Sequence, residues 1–440
     1  MVSNIIYDDK NDNLYLLIYK LGKGSYATVW FSIQLKGFVN NIKTKKKIDL
    51  HHYALKVHNE EDYDEGMLET KIDSYLSKNG KRSELINYPK SHFVYDESIV
   101  IVVYETALCS LYDFHKIYKR NFEEEFVNKI TPYLRESINF VHDCGFIHAD
   151  IKPENYLLMG TNKLQNDIYN DILKFNIMSK ISIINILKKK INYENIIQIF
   201  KPVLKQLLLE LTSSFNLSDN ILYDEDDSEH TDENSSSSSY ESSYNENDYS
   251  YEESEFYNTD CESYNSSENE FTKEYDKFHI NKILYEYYSE DNKSEDNKQE
   301  NNNNDDNYDF IKKYLENPII KLTDFGLMQK QTDKCRTIQT RYYRAPEVLL
   351  GCKYDKNIDF WSLTCTIHEL ITGKILFDVE KNIYNKKIDK DVIQIKLILN
   401  YYLQTDLREF LKLFLLIKKA PRTDQFISKD GTLKGPIFSF

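Results

Sequence analysis

The sequence predicts an α+β chain of two lobes, β-rich first and mostly helical after, interrupted by a long and partly disordered insertion. Three observations lead there. Apolar runs of strand length crowd the first hundred residues, at Leu14–Ile18, Val29–Ile33, Tyr53–Val57 and Ser98–Tyr104. Beyond them, Val127, Ile130, Leu134, Ile138 and Val141 recur at three- and four-residue spacing, which marks a core helix ending near Gly145. Residues 221–310 hold 28 Asp or Glu against 5 Lys or Arg, so one acidic block of net charge −23 sits inside a chain whose remainder is +8.

That division changes how the whole-chain charge of −15 is read, because the acidity is local and not a property of the lobes. The block is built of Ser, Asn, Glu, Asp and Tyr, with homopolymer runs at Ser235–Ser239 and Asn301–Asn304. Such a composition buries too little apolar surface to offset its ordering entropy, so 218–310 is expected to be disordered. It reads as a solvated spacer or as a regulatory docking segment. The preceding 161–217 is rich in Ile, Leu and Lys. Pro202 is expected to open a helix there with Leu204, Leu208 and Leu211 on one face, one of two or three amphipathic helices packing on a neighbour.

The rest of the composition excludes several classes. With 440 residues and 41% apolar content the chain can bury a sizeable core. No run approaches the roughly 20 apolar residues that cross a bilayer, so no membrane association is expected. The early acids and asparagines argue against a secretory signal. Cysteines 109, 144, 261, 335, 352 and 365 form no C-x-x-C pair, which favours a reducing, cytoplasmic or nucleocytoplasmic compartment. Heavy use of Asn, Ile, Lys and Tyr points to an AT-rich genome, of a large DNA virus or a protozoan. In the viral case the compartment is the host cell's.

Chemistry-bearing motifs follow in chain order. The strand from Leu14 runs into Leu21, Gly22, Lys23, Gly24, Ser25, Tyr26, Ala27, Thr28 and Val29, after which a second strand begins. Two glycines let a backbone turn tightly and approach phosphate oxygens. Any hairpin could use them, but a strand on each side fits a hairpin covering ATP better than a dinucleotide fold. Lys56 stands alone among the apolar residues of the 53–57 strand and is costly to bury without an anion. Glu61–Leu76 reads as a helix with Glu69 beside an apolar stripe, so Glu69 is the candidate partner of Lys56, and Glu65 one turn earlier is the alternative. Glu105, Thr106 and Ala107 would connect the lobes, with backbone groups of Glu105 and Ala107 facing an adenine edge.

The strongest local signal is His148-Ala149-Asp150-Ile151-Lys152-Pro153-Glu154-Asn155. Asp150 can accept or orient a hydroxyl proton, Lys152 can neutralise phosphoryl charge, and the Asn155 amide oxygen can ligate a metal. Asp324, in Thr323-Asp324-Phe325-Gly326, adds the hard carboxylate that Mg²⁺ prefers. Thr337–Glu347 and Asp359-Phe360-Trp361-Ser362 follow.

The ordered set resembles the eukaryotic protein kinase signature, with Lys152 marking the serine/threonine class. Ile338-Gln339-Thr340-Arg341, Tyr343-Arg344 and Glu347–Gly351 are similar to the CMGC group, and most to SR-protein kinases, which also carry a long spacer between the catalytic loop and the activation segment, where this chain has its insertion between Asn155 and Asp324. The resemblance implies a two-lobed kinase fold: N-lobe at 14–106, first C-lobe part at 107–160, helical insertion at 161–217, acidic insertion at 218–310 and second C-lobe part at 317–440. It implies ATP held by the loop 21–29 and Lys56, Glu69 orienting Lys56, Asp150 as base with Lys152 and Thr340 beside it, and Mg²⁺ on Asn155 and Asp324. It further implies a protein substrate, Arg/Ser-rich by the SR-kinase likeness, no direct nucleic-acid partner, and a monomer by default.

Three features depart from the resemblance. Ala149 replaces the arginine that commonly receives an activation-loop phosphate, which implies activity without that phosphate. The middle residue of Asp324-Phe325-Gly326 is leucine in close SR-protein kinases. The C-lobe is expected to be shortened: only Arg408 and Arg422 lie downstream of Arg344, neither in the motif that normally supplies an arginine for Glu347, so Glu347 is expected to be unpaired. The alternative reading is a pseudokinase-like scaffold whose shortened C-lobe fails and whose acidic insertion recruits basic partners.

Overall fold

The computed structural model describes residues 4–24, 26–44, 46–78, 80–118, 122–175, 193–217, 312–332, 338–380, 389–429, 431 and 434. The expected disorder of 218–310, and the site residue Ser25, lie outside the described residues.

The first lobe is a six-stranded antiparallel sheet in the order β1-β2-β3-β4-β6-β5. Its strands are β1 (Ile5–Asp8), β2 (Asn13–Lys23), β3 (Ala27–Lys36), β4 (Asp49–His58), β5 (Ser91–Tyr95) and β6 (Ile99–Tyr104). The edge strand β1, which the sequence reading did not anticipate, pairs Ile5–Asp8 with Asn13–Leu16. Strand alternation gives the sheet two apolar faces. Tyr15, Leu17, Trp30, Leu55, Val57, Ile101 and Val103 pack on one. Leu14, Leu16, Ile18, Phe31, Ile33 and Leu35 lie on the other.

Three helices belong to this lobe's chain: α1 (Phe38–Thr44) and α2 (Tyr63–Glu69) pack on the sheet, while Ile72 of α3 (Ile72–Tyr75) joins a core shared with Leu134, Ile138 and Leu363. Asp12 holds the start of α1 by accepting the N–H groups of Val39 and Asn40 at 2.8 and 2.9 Å. The single helix expected over Glu61–Leu76 is instead a 3₁₀ turn followed by two short helices. Thr70 interrupts it, its hydroxyl donating to the Met67 carbonyl at 2.8 Å.

A connector leads to β7 (Ala107–Ser110), α4 (Leu111–Tyr118), α5 (Glu124–Asp143), β8 (Phe146–Ile147) and β9 (Tyr156–Met159). After the insertion helices α6 (Lys163–Lys174) and α7 (Tyr193–Ser214), the second lobe closes with β10 (Ile320–Leu322), β11 (Gln329–Lys330) and the helices α8 (Pro346–Leu349), α9 (Ile358–Thr372), α10 (Lys390–Thr405), α11 (Leu407–Lys419) and α12 (Thr423–Phe426). Leu134, Ile138 and Val141 of α5 share a core with Leu363, Ile367 and Leu370 of α9. Trp361 and Cys365, also on α9, pack against Ile393 and Leu397 of α10 and Leu413 and Ile417 of α11.

The insertion contributes α6 (Lys163–Lys174) and α7 (Tyr193–Ser214). They pack on the first lobe: Ile168, Ile172, Phe200, Leu204, Leu208 and Leu211 join the face made by Leu14, Leu16, Phe31 and Ile33. The expected stripe at 204, 208 and 211 is therefore the buried one, but Pro202 sits inside α7 and does not open it. At the base of the insertion β9 pairs with β10, and the Tyr314 ring lies against Gly160. No helix among the described residues is long and apolar enough to cross a membrane.

Candidate active site

The β2–β3 hairpin places the glycine-rich residues over the cleft. Gly22 pairs with Val29 and Lys23 with Thr28, Gly24 N–H donates to the Ala27 carbonyl at 2.9 Å, and Tyr26 is exposed at the tip. Val29 in turn pairs with Lys56, so the hairpin and the lysine are neighbours in one sheet. Alternation puts Leu55 and Val57 into the core and leaves Lys56 on the opposite face. Its Nζ lies 2.8 Å from Glu69 Oε2 and 3.4 Å from Asp324 Oδ1. Burial opposes its charge, but Glu69 and Asp324 outweigh burial and raise the ammonium's pKa. Burial would raise the Glu69 carboxyl, yet Lys56 dominates and pushes it down to about 2. Glu69 is thus the partner, while Glu65 is exposed.

The catalytic loop follows β8. Asp150 is buried and accepts the Thr340 hydroxyl at 2.6 Å on Oδ1, while Lys152 Nζ lies 2.8 Å from its Oδ2. Lys152 also donates to Thr340 Oγ1 at 3.1 Å. Asn155 Nδ2 donates to the Asp150 carbonyl at 2.7 Å and to Oδ2 at 3.1 Å. Burial raises the Asp150 carboxyl, but Lys152 and Thr340 prevail and hold it below the usual carboxylate range. The expected group of Asp150, Lys152, Asn155 and Thr340 is brought together. Thr323 N–H donates to the Asn155 carbonyl at 2.9 Å, which sets Asp324 beside that group.

These residues fit a divalent cation. The Asn155 amide nitrogen is committed to Asp150, leaving its oxygen as the available ligand atom, and Asp324 adds a half-exposed carboxylate. Magnesium is commonly held by one or two such oxygen groups plus substrate phosphates. Among the described residues no cluster of three His, Cys, Asp or Glu side chains offers a competing metal site.

Glu105 and Ala107 occupy the connector. Glu105 bridges the lobes with its side chain, pairing with Lys90 at 2.8 Å and Lys321 at 2.6 Å, so only its backbone is left for a ligand. The Ala107 carbonyl receives Gln165 Nε2 of α6 at 3.4 Å. Asn162 and Gln165 form a capping box that fixes this contact.

Sequence reasoning did not assign four residues here. Asp359 is fully buried and accepts the N–H groups of His148 and Ala149 at 2.9 Å each. Tyr104 donates to Glu69 Oε1 at 2.5 Å, and His58 Nε2 lies 3.0 Å from Oε2. Gln165 reaches the connector from the insertion. Asp359 was visible as an acid inside an apolar helix, a position that requires partners. Tyr104, His58 and Gln165 carried no local signal.

A family model of the protein kinase domain matches residues 15–174 and 309–426. The chain belongs to the protein kinase family. Serine/threonine-protein kinase SRPK of Physarum polycephalum is 36% identical over 128 residues, covering 28% of this chain and 27% of that protein. Protein kinase dsk1 of Schizosaccharomyces pombe is 48% identical over 65 residues, covering 14% of this chain and 12% of that protein. The L205 protein of Acanthamoeba polyphaga mimivirus, provisionally named a serine/threonine-protein kinase, is 26% identical over 404 residues, covering 83% of this chain and 68% of that protein. The matches to SRPK and dsk1 thus span a small part of those proteins. Over these stretches the kinase is similar to SRPK and dsk1, the first of which belongs to the serine/threonine class by its name.

Two expected departures take physical form in this kinase. Ala149 is fully buried at a φ of +64°. Glu347 has no cationic partner among the described residues, and burial pushes its carboxyl up to about 7. Arg422 is committed elsewhere, to Asp391 at 2.7 Å and Asp389 at 3.0 Å.

Proposed function

We propose that this kinase transfers the γ-phosphoryl of ATP to serine or threonine in basic, Arg/Ser-rich protein segments, and that it needs no phosphate on its activation segment. The observation that carries the reading is the convergence of Thr340, Lys152 and Asn155 on Asp150. Asp150 would hold the substrate hydroxyl and take its proton, and Lys152 would face the charge of the transferring group. Thr340 fixes the Asp150 carboxylate, and Lys56, held by Glu69, would contact the phosphates of ATP. Asn155 and Asp324 would hold Mg²⁺, which supplies charge neutralisation on the phosphate oxygens. The intact Lys56–Glu69 pair argues against a scaffold without turnover.

The basic substrate class is supported by two acids beside the catalytic loop. Glu154 Oε2 is buried without a hydrogen-bond partner among the described residues. Glu369 lines a shallow cavity with Tyr112, Pro153 and Leu370. Burial first, and then the charge of Glu154, raise the Glu369 carboxyl above its ordinary range. Among the described residues the Glu369 carboxylate is met only by the Tyr343 hydroxyl, which donates to it at 2.6 Å. An acid raised by burial and a neighbouring acid would be relieved by a cation, and a guanidinium from the substrate would supply it.

Activation without a phosphate is supported by how the segment before α8 is held. Gln339 Nε2 donates to Ile358 O and Ser362 Oγ at 2.8 Å each, and its Oε1 accepts Ala345 N–H at 2.9 Å. Arg341 pairs with Asp391 at 2.7 Å. The test is phosphate transfer by the purified chain to Arg/Ser, neutral Ser, Ser-Pro and Tyr peptides. The Arg/Ser peptide is expected to lead by at least tenfold in kcat/KM, and Glu154→Gln with Glu369→Gln to erase that lead. Equal rates on basic and neutral peptides contradict the substrate class.

A further inference from the structure

We propose that Tyr104 is a positioning residue of phosphoryl transfer, acting through Glu69: its hydroxyl locks the carboxylate whose other oxygen holds Lys56. This is independent of which peptide is phosphorylated.

The lock has two points, both on β6. Val100, Val102 and Tyr104 share the face of that strand beneath α2. At the first point Gly66 of α2 lies so close to the strand that a Cβ there would stand 2.7 Å from Val100 Cβ and 3.0 Å from His58 Cγ. Only a residue without a side chain permits that approach. At the second point, one helical turn on, the Tyr104 hydroxyl donates to Glu69 Oε1 at 2.5 Å. Lys56 Nζ is 2.8 Å and His58 Nε2 3.0 Å from the other oxygen, Oε2. Both carboxylate oxygens are therefore engaged, and rotating the carboxylate away from Lys56 breaks contacts on each.

The surroundings make the tyrosine donor consequential. Tyr104 is 6% exposed and the Glu69 side chain 11%. Without the hydroxyl, Oε1 would face a site closed to water, a cost a buried carboxylate avoids by moving. Burial, then the charge of Glu69, keep the phenol's pKa well above its ordinary value, so it remains a donor through the neutral range. Tyr104 also pairs with Ala54 in β4, two residues from Lys56, so one sheet carries both the lysine and the group that aims its partner. Helix α2 is held in its ion-paired position from within the lobe.

The test is Tyr104→Phe in the full chain, with kcat and KM for ATP measured by phosphate transfer or, without a peptide, by ATP hydrolysis. The expected result is a fall in kcat of about tenfold with KM for ATP changed less than twofold, because Glu69 orients Lys56 and does not touch the base. In a Glu69→Gln background, Tyr104→Phe is expected to add no further loss. Tyr104→Met, which keeps bulk without a donor, is expected to match Tyr104→Phe, and either variant decides if the other does not fold. A lowered thermal midpoint with unchanged kcat, or a full tenfold fall persisting in the Glu69→Gln background, overturns the proposal.

Discussion

Ala149 stands at a φ of +64°, and Asp359 holds it there, its Oδ1 accepting the Ala149 N–H at 2.9 Å. The same carboxylate takes His148 N–H on Oδ2, with His142 Nε2 2.8 Å from that oxygen. A non-glycine residue in that conformation costs on the order of 1–3 kcal/mol and persists only where its surroundings fix it. Asp324 is likewise at +60°. Asp359 of α9 therefore fixes the backbone immediately before Asp150.

Asp359→Asn turns one acceptor into a donor facing donors. Because Asp359 is fully buried, the variant is expected to lose about 3–5 kcal/mol of stability, read from urea unfolding. Its residual kcat is expected to fall with the loop's geometry.

Thr340→Val removes the hydroxyl that Asp150 accepts at 2.6 Å and that Lys152 donates to at 3.1 Å. A fall in kcat of about 10–100-fold is expected with little change in thermal midpoint. Thr340→Ser, which keeps the hydroxyl, is expected to stay within a few-fold of the native enzyme.

The carboxyl of Glu347 links stability to pH. Its folded pKa, about 7, lies above the ordinary 4.5, so the unfolded chain ionises first as pH rises. Below about 4.5 the group costs nothing. Between there and 7 stability declines, by up to about 3 kcal/mol. Glu347→Gln is expected to raise the thermal midpoint at pH 8 and leave it unchanged near pH 4.5, flattening the profile between.

Gly160 has a φ of +137°, and the Tyr314 ring occupies the space a Cβ would take. Gly160→Ala is expected to destabilise by about 2–4 kcal/mol in thermal unfolding, by backbone strain and by parting the two ends of the insertion.

Legibility followed the range of the signal. The 99–103 run became a central strand because five consecutive β-branched apolar residues suit a strand buried on both faces. The cluster at 148–155 was legible because its chemistry is local, and Lys56 because a lone lysine in a core strand demands an anion. Glu69 was narrowed to two acids by helical spacing and decided only by the fold. Tyr104 and Gln165 were not legible, since an aromatic ending a strand and an amide starting a helix gain meaning only from residues far away in sequence. The break at Thr70 and the continuation of α7 through Pro202 were missed because tertiary packing overrides local propensity.

The central claim is that Asp150, aimed by Thr340, Lys152 and Asn155, performs phosphoryl transfer with ATP held by Lys56. The direct measurement is incorporation of labelled phosphate from ATP with Mg²⁺ into an Arg/Ser peptide by the native chain and by Asp150→Asn. Turnover by the native chain and loss of at least a hundredfold in the variant is the expected result. Equal incorporation by the two proteins would contradict it.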